Sequence, residues 1–167
     1  MWPEHVILRI MTIYTIGYEG ASLDLFLDRL HRLHVQIVVD VRDVPLSRKP
    51  GFSKTALSTA LRAMGLRYVH IRELGCPKSI RDLHRSNGDW EAYTRAFMAH
   101  LRKQGKAVRE LAQTCARNRA ALLCYEADPD QCHRTYVARA VSSILGQHVM
   151  HIGSEGATRD RATAVAA

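Results

Sequence analysis

Short, nearly continuous apolar runs alternate along this chain with longer stretches in which an apolar residue recurs every three or four positions. The first rhythm suits strands buried on both faces, and the second suits helices laid against them. "YTIGYEG" (14–20) reads as a strand closed by a glycine turn. Behind it Ser22 stands as an N-cap, and Leu23, Phe26, Leu27, Leu30 and Leu33 mark one face of a helix. "VQIVVDVR" (35–42) predicts a second strand, and "KTALSTALRAM" (54–64), stopped by Gly65, a second helix. "RYVHI" (67–71) predicts a third strand, whereas the polar segment 72–89 lacks a sustained period and is expected as a long loop. Residues 90–118 predict one long helix or two, with Gly105 the natural break. "AALLCYE" (120–126) predicts a fourth strand, 128–146 a helix and "HVMHIG" (148–153) a last strand.

Strands and helices in this alternation imply an α/β three-layer sandwich with a mostly parallel central sheet of about five strands. Residues 12–153 are expected as a single domain, preceded by an N-terminal extension (1–11) and followed by a flexible tail (154–167) that has no apolar period. In such sheets ligands bind outside the carboxyl ends of the strands. The polar residues found there are Tyr18 and Glu19 after the first strand, Asp40 and Arg42 at the second, Glu73 after the third, and Tyr125 and Glu126 after the fourth.

Composition narrows the setting. With 167 residues, 47% of them apolar and 24% charged, the chain is long enough to bury a core without covalent staples. It lacks the run of roughly 20 apolar residues that a membrane helix needs, and Glu4, His5 and Arg9 stand where a signal peptide would be apolar. A cytoplasmic protein is expected, in which the four cysteines stay as thiols. The net charge of +8 is mostly arginine, since there are only five lysines. That surplus favours an anionic substrate, nucleic acid included, although an arginine-rich codon preference would produce the same count.

The segment "CYEADPDQCHR" (124–134) carries the densest chemistry. Asp128 suits an N-cap, Pro129 the first helical position and Gln131 the third, which places Cys132 in the first or second turn of a helix. A thiol there, near the positive end of the helix dipole and beside His133 and Arg134, is expected to ionise readily. Cys132 is therefore a candidate nucleophile with His133 as its proton partner, and Glu126 a candidate general acid or base. Asp40 is expected to orient Arg42 or to act as a base. Arg42, Arg48 and Arg134 are candidates for holding phosphate or carboxylate groups. Ser47, Tyr18 and Phe52 would add hydroxyl contacts and stacking. Cys124 reads as core. A metal reading would recruit Cys124, Cys132, His133 and Glu126, but their spacing matches no standard zinc pattern, and neither metal nor cofactor is predicted.

"TIGYEG", "VVDVRDVPLSRKPGFSK", "YVHIRELG" and "LLCYEADPDQCHR" together resemble the family catalogued as domain of unknown function 488, in order over residues 12 to 153. The resemblance implies a small cytoplasmic α/β protein of prokaryotic type. Its signature positions correspond to Gly17, Asp40, Arg42, Pro45, Ser47, Phe52, Leu74, Gly75, Cys124, Glu126, Cys132, His133 and Arg134. It gathers the strand-end residues into one expected site and names no reaction. Two function classes stay open from the residues themselves: an enzyme acting on an anionic substrate, and a non-catalytic nucleic-acid-binding module that relies on its basic residues.

Overall fold

The computed structural model describes residues 12–163. Six strands form one sheet in the order β3-β2-β4-β1-β5-β6. They are β1 (Ile13–Gly17), β2 (Ile37–Asp40), β3 (Arg67–His70), β4 (Ala120–Cys124), β5 (Val149–Gly153) and β6 (Gly156–Arg159). All neighbours are parallel except β5 and β6. The helices are α1 (Leu23–Arg32), α2 (Lys54–Ala63), α3 (Lys78–Asn87), α4 (Trp90–Arg102), α5 (Gly105–Arg117) and α6 (His133–Leu145). No helix among the described residues is long and apolar enough to cross a membrane.

The strand period of two sorts the apolar residues onto two faces. Ile37, Val39, Ala120 and Leu122 point to one side, where Phe97 and Leu101 of α4, Leu111 of α5, and Val137 and Val141 of α6 pack on them. Val38, Ala121, Leu123 and Ile16 point to the other, against Phe26 and Leu30 of α1 and Leu57 and Leu61 of α2. Each of these large side chains is fully or almost fully enclosed and contributes about 1.5–3 kcal/mol by leaving water. The sheet is thereby fixed between two helical layers, and its carboxyl edge is held rigidly enough to carry a site.

Two expectations need correction. The segment 72–89 is not a long loop: a short 3-10 turn (Arg72–Leu74) leads into α3, which packs on α4 and is closed by Gly88 in the left-handed conformation. No residue of α3 is fully buried; the helix lies on α4 and packs the half-buried Ile80 against the core. The flexible tail expected from residue 154 instead turns back at once, and β6 pairs with β5 while Asp160 is buried. That pairing adds the sixth strand, antiparallel at the edge. Residues 90–118 form two helices, the second of the two alternatives expected, with the break just before Gly105, which opens α5. The N-terminal extension (1–11) lies outside the described residues.

Candidate functional site

The carboxyl ends of β1, β4 and β2 lie side by side, with Gly17 beside Cys124 and Asp40 beside Leu123. Their approach is close enough to dictate sequence. A Cβ on Gly17 would sit 1.8 Å from the Glu126 carbonyl oxygen, so only glycine lets the chain leaving β4 cross over β1. Gly75 plays the same part against Asp43, where a Cβ would meet the backbone nitrogen at 2.3 Å.

After β4 the chain makes a separate 3-10 turn, Pro129–Gln131, capped by Asp128, whose carboxylate accepts from the Asp130 amide. Cys132 follows in extended backbone as the residue before α6, rather than in the first or second turn of a helix as the capping pattern predicts. The Asp-Pro signal caps its own short turn and the chain unwinds for one residue before α6 begins. The Cys132 sulfur makes no cap; it lies 3.0 Å from Glu126 Oε2, and Cys124 Sγ lies 3.2 Å from the same oxygen. His133, at the first position of α6, has Nδ1 3.7 Å from Cys124 Sγ and Nε2 2.8 Å from the Val41 carbonyl. A carbonyl oxygen can only accept, so Nε2 carries a proton whether or not the ring is charged, and Nδ1 is the nitrogen turned toward the thiols. Its ring stands edge-on to Phe97.

These four groups shift one another. Burial pushes the Glu126 carboxyl up, and the charge and hydrogen bond of Cys132 push it further, to about 7. Burial also acts to raise the Cys132 thiol, but hydrogen bonds from Cys124 and His133, with the positive charges of Arg134 and His133, bring it well below its ordinary value. The hydrogen bond to Cys132, together with burial, holds the Cys124 thiol well above its own. Burial lowers His133, and its bond to and attraction by Cys132 outweigh this, so the imidazole is raised. The cluster therefore favours an ionised Cys132 beside a protonated His133, with the Cys124 proton retained.

A second cluster lies on the β2 side. The buried Asp40 carboxylate accepts from Arg42 Nε at 2.9 Å and Nη2 at 2.6 Å, and from the Tyr68 hydroxyl at 2.6 Å. Arg42 Nη1 donates to the Phe52 carbonyl and to the Tyr18 hydroxyl.

A cavity of about 640 Å³ opens over this edge, with Cys124, Glu126 and His133 in its floor. Tyr18, Arg42, Ser47 and Arg48, all expected from the sequence, also line it. Four expected residues take no part in the lining. Phe52 is fully buried and stacked on Tyr18 at 4.4 Å, a core residue with no face left for a substrate. Asp40 is fully buried and committed to Arg42 and Tyr68, so it orients Arg42 rather than acting as a free base. Arg134 is 1% exposed and turns its guanidinium onto the Glu126 and Ala127 carbonyls and the Thr15 hydroxyl. It braces the segment that carries Glu126 instead of holding a substrate anion. Thr15 is tied in turn to His151, and His151 to Asp160. Cys132 is 1% exposed, and the cysteines in the lining are Cys76 and Cys124, the latter assigned to the core by the sequence.

The cavity also recruits residues that the pattern of the chain does not single out, chiefly Arg81, His84, Arg85, Trp90 and Tyr93. They belong to α3 and α4. With 72–89 read as a loop, nothing places those side chains on one wall.

The family described as "Domain of unknown function DUF488" matches residues 22–141, and the chain belongs to it. No curated protein and no solved structure matches the chain.

Proposed function

We propose that this member of the DUF488 family is an enzyme acting on an anionic, nucleotide-like substrate in the cavity at the carboxyl edge of its sheet. One observation carries this reading: Cys124, Glu126 and His133 stand at the floor of a cavity whose walls include Arg42, Arg48, Lys49, Arg81 and Arg85, and Cys132 touches that floor from beneath through Glu126. Cys132 is the nucleophile. Its thiolate attacks an electrophilic centre of the substrate once the Glu126 side chain rotates off the sulfur, and His133 balances its charge. Glu126, with a pKa of about 7, gives its proton to the departing group, and the covalent thiol adduct is then released by water. Arg48 and Lys49 face the substrate's anionic groups.

A second reading rests on its own observation. The ligand atoms of Cys124, Cys132 and His133 lie within 4.8 Å of one another, and the Val41 carbonyl fixes His133 with Nδ1 toward the sulfurs. Two thiolates, an oriented imidazole and a neighbouring carboxylate are a donor set suited to zinc.

One preparation tests both. Untagged protein is alkylated with iodoacetamide across pH, the modified cysteines are located by peptide mass spectrometry, and bound metal is quantified beforehand. The nucleophile reading expects metal-free protein in which Cys132 reacts with an apparent pKa below the free value of about 8.5, and in which Cys132→Ser abolishes turnover without unfolding. Modification of Cys132 no faster than Cys124 at every pH removes the thiol from the mechanism. Stoichiometric metal, lost in Cys132→Ser, assigns the cluster to the metal.

A further inference from the structure

Among the described residues, three buried side-chain atoms have no hydrogen-bond partner: Arg81 Nε, His84 Nδ1 and Gln147 Oε1. Two of the three lie one turn apart on α3, and both of those residues line the cavity. A buried polar atom without a partner costs about 1–3 kcal/mol, so two on one wall call for an explanation.

The surroundings of Arg81 supply one. Its Nη2 is anchored 3.2 Å from Asp43 Oδ2, which fixes the plane of the guanidinium while Nε has no acceptor. Arg85 follows one turn later on the same helix, with only a loose contact to Asp82 at 3.7 Å. Arg48 and Lys49 enter from the β2–α2 loop, and Lys49 is steadied by its bond to the Tyr18 carbonyl. Against these four cations the cavity lining holds two carboxyl side chains, Asp43 and Glu126. Next to Arg81, the His84 ring lies 5.5 Å from Trp90 and 5.3 Å from Tyr93, and Trp90 stacks on Tyr93 at 4.6 Å.

We infer that α3 carries the oxyanion subsite of this cavity, and that Arg81 is its specific contact, taking a phosphoryl group of a small phosphorylated metabolite beside the Trp90–Tyr93 wall. The phosphoryl oxygens accept from the outer, accessible end of the Arg81 guanidinium, which Asp43 holds in place at Nη2. Arg85, Arg48 and Lys49 balance the remaining charge. A phosphoryl group carried by a small molecule suits a cavity of about 640 Å³ better than a nucleic-acid backbone does, because a strand would have to enter and leave it. The inference deepens the enzyme reading by naming the substrate class, but it makes no use of the thiols.

The test is a titration of the intact protein with inorganic phosphate and pyrophosphate at constant ionic strength, followed by the Arg Nε–H and Trp indole NMR signals. Arg81→Lys, which keeps the charge and removes the fork, identifies the Arg81 resonance. The expected result is a saturable shift of the Arg81 and Trp90 signals, with binding weakened at least about tenfold in Arg81→Lys and unchanged in Arg95→Lys on the exposed face of α4. No saturable shift in the wild type, or equal binding by Arg81→Lys, overturns the inference, and the wild-type titration decides even if the variant is unstable. Saturable binding of a single-stranded oligonucleotide that exceeds pyrophosphate binding and depends on Arg81 overturns the small-metabolite assignment. Phosphate binding by a protein whose Cys132 is unreactive upholds the subsite and removes the nucleophile, while a reactive Cys132 without phosphate binding does the reverse.

Discussion

The two polar clusters at the carboxyl edge grow from neighbouring strands, yet their charges are treated in opposite ways. At the end of β2, Asp40 and Arg42 meet in a two-point ion pair, and Tyr68, Tyr18 and the Phe52 carbonyl accept or donate around it. At the end of β4, Glu126 faces two thiols, and His133 faces one of them with Nδ1. The first cluster is electrically closed; the second distributes a small number of protons over four groups whose affinities have been pushed toward or past one another. Burial alone therefore does not make a site reactive. What differs is whether each buried charge has a fixed opposite partner.

The largest effect is expected from opening the closed cluster. Asp40→Ala leaves the Arg42 guanidinium, only 5% exposed, without its carboxylate. Removing one partner of a buried pair typically costs about 3–5 kcal/mol, because the other charge stays desolvated. Urea denaturation monitored by circular dichroism should register that loss. The double variant Asp40→Leu, Arg42→Met should recover much of it, since no orphaned charge remains. A single variant as stable as the wild type would show that water reaches Arg42 and that the cluster is not closed.

The open cluster should reveal itself through pH. Glu126 holds its proton up to about pH 7 in the folded protein, against an ordinary value of 4.5. Between those values the native state keeps a proton that the unfolded chain releases, so the Glu126 contribution to stability is complete below pH 4.5 and is lost as pH rises through 7. His133, raised as well, acts in the same direction, so the comparison with Glu126→Gln isolates the carboxyl. In metal-free protein, the melting temperature of the wild type minus that of Glu126→Gln should fall from pH 4.5 to pH 7 and level off above it. A difference that stays flat would mean the carboxyl is ionised throughout and that its contacts to the two sulfurs are those of an ordinary carboxylate.

The sequence exposes this arrangement unevenly, for physical reasons. Strands β2 and β4 are buried on both faces, so their runs "IVVD" and "AALLC" are apolar without interruption and their polar ends stand out. Asp40, Arg42 and Glu126 are legible on that account. Helix α3 is not, because Ile80 and Leu83 are its only apolar residues, too few to display a period, and Arg81 and His84 are hidden with it. Edge strand β6 is equally silent: "GATR" has no alternation, and its pairing with β5 supplies what its composition does not. Arg134 shows a different limit. Its neighbours in sequence point to an activated thiol, but its fate as a brace depends on Thr15, distant along the chain and adjacent only once β1 and α6 are packed.

The smallest expected effect asks whether the two clusters are independent. Tyr68 sits on β3, on the side of β2 away from β4, and its hydroxyl donates to Asp40 Oδ2. Tyr68→Phe removes that bond but leaves Asp40 paired with Arg42, and the half-buried site admits water to the vacated carboxylate lone pair. The loss should be about 1 kcal/mol, at the low end for a bond to a charged group. The rate of iodoacetamide modification at Cys132 should not change. If it does, the ion pair contributes to the electrostatics of the thiols through β2, whose next residues include both Arg42 and the Val41 carbonyl that orients His133. The closed cluster would then be part of the reactive one, holding the strand whose backbone sets the tautomer of the imidazole.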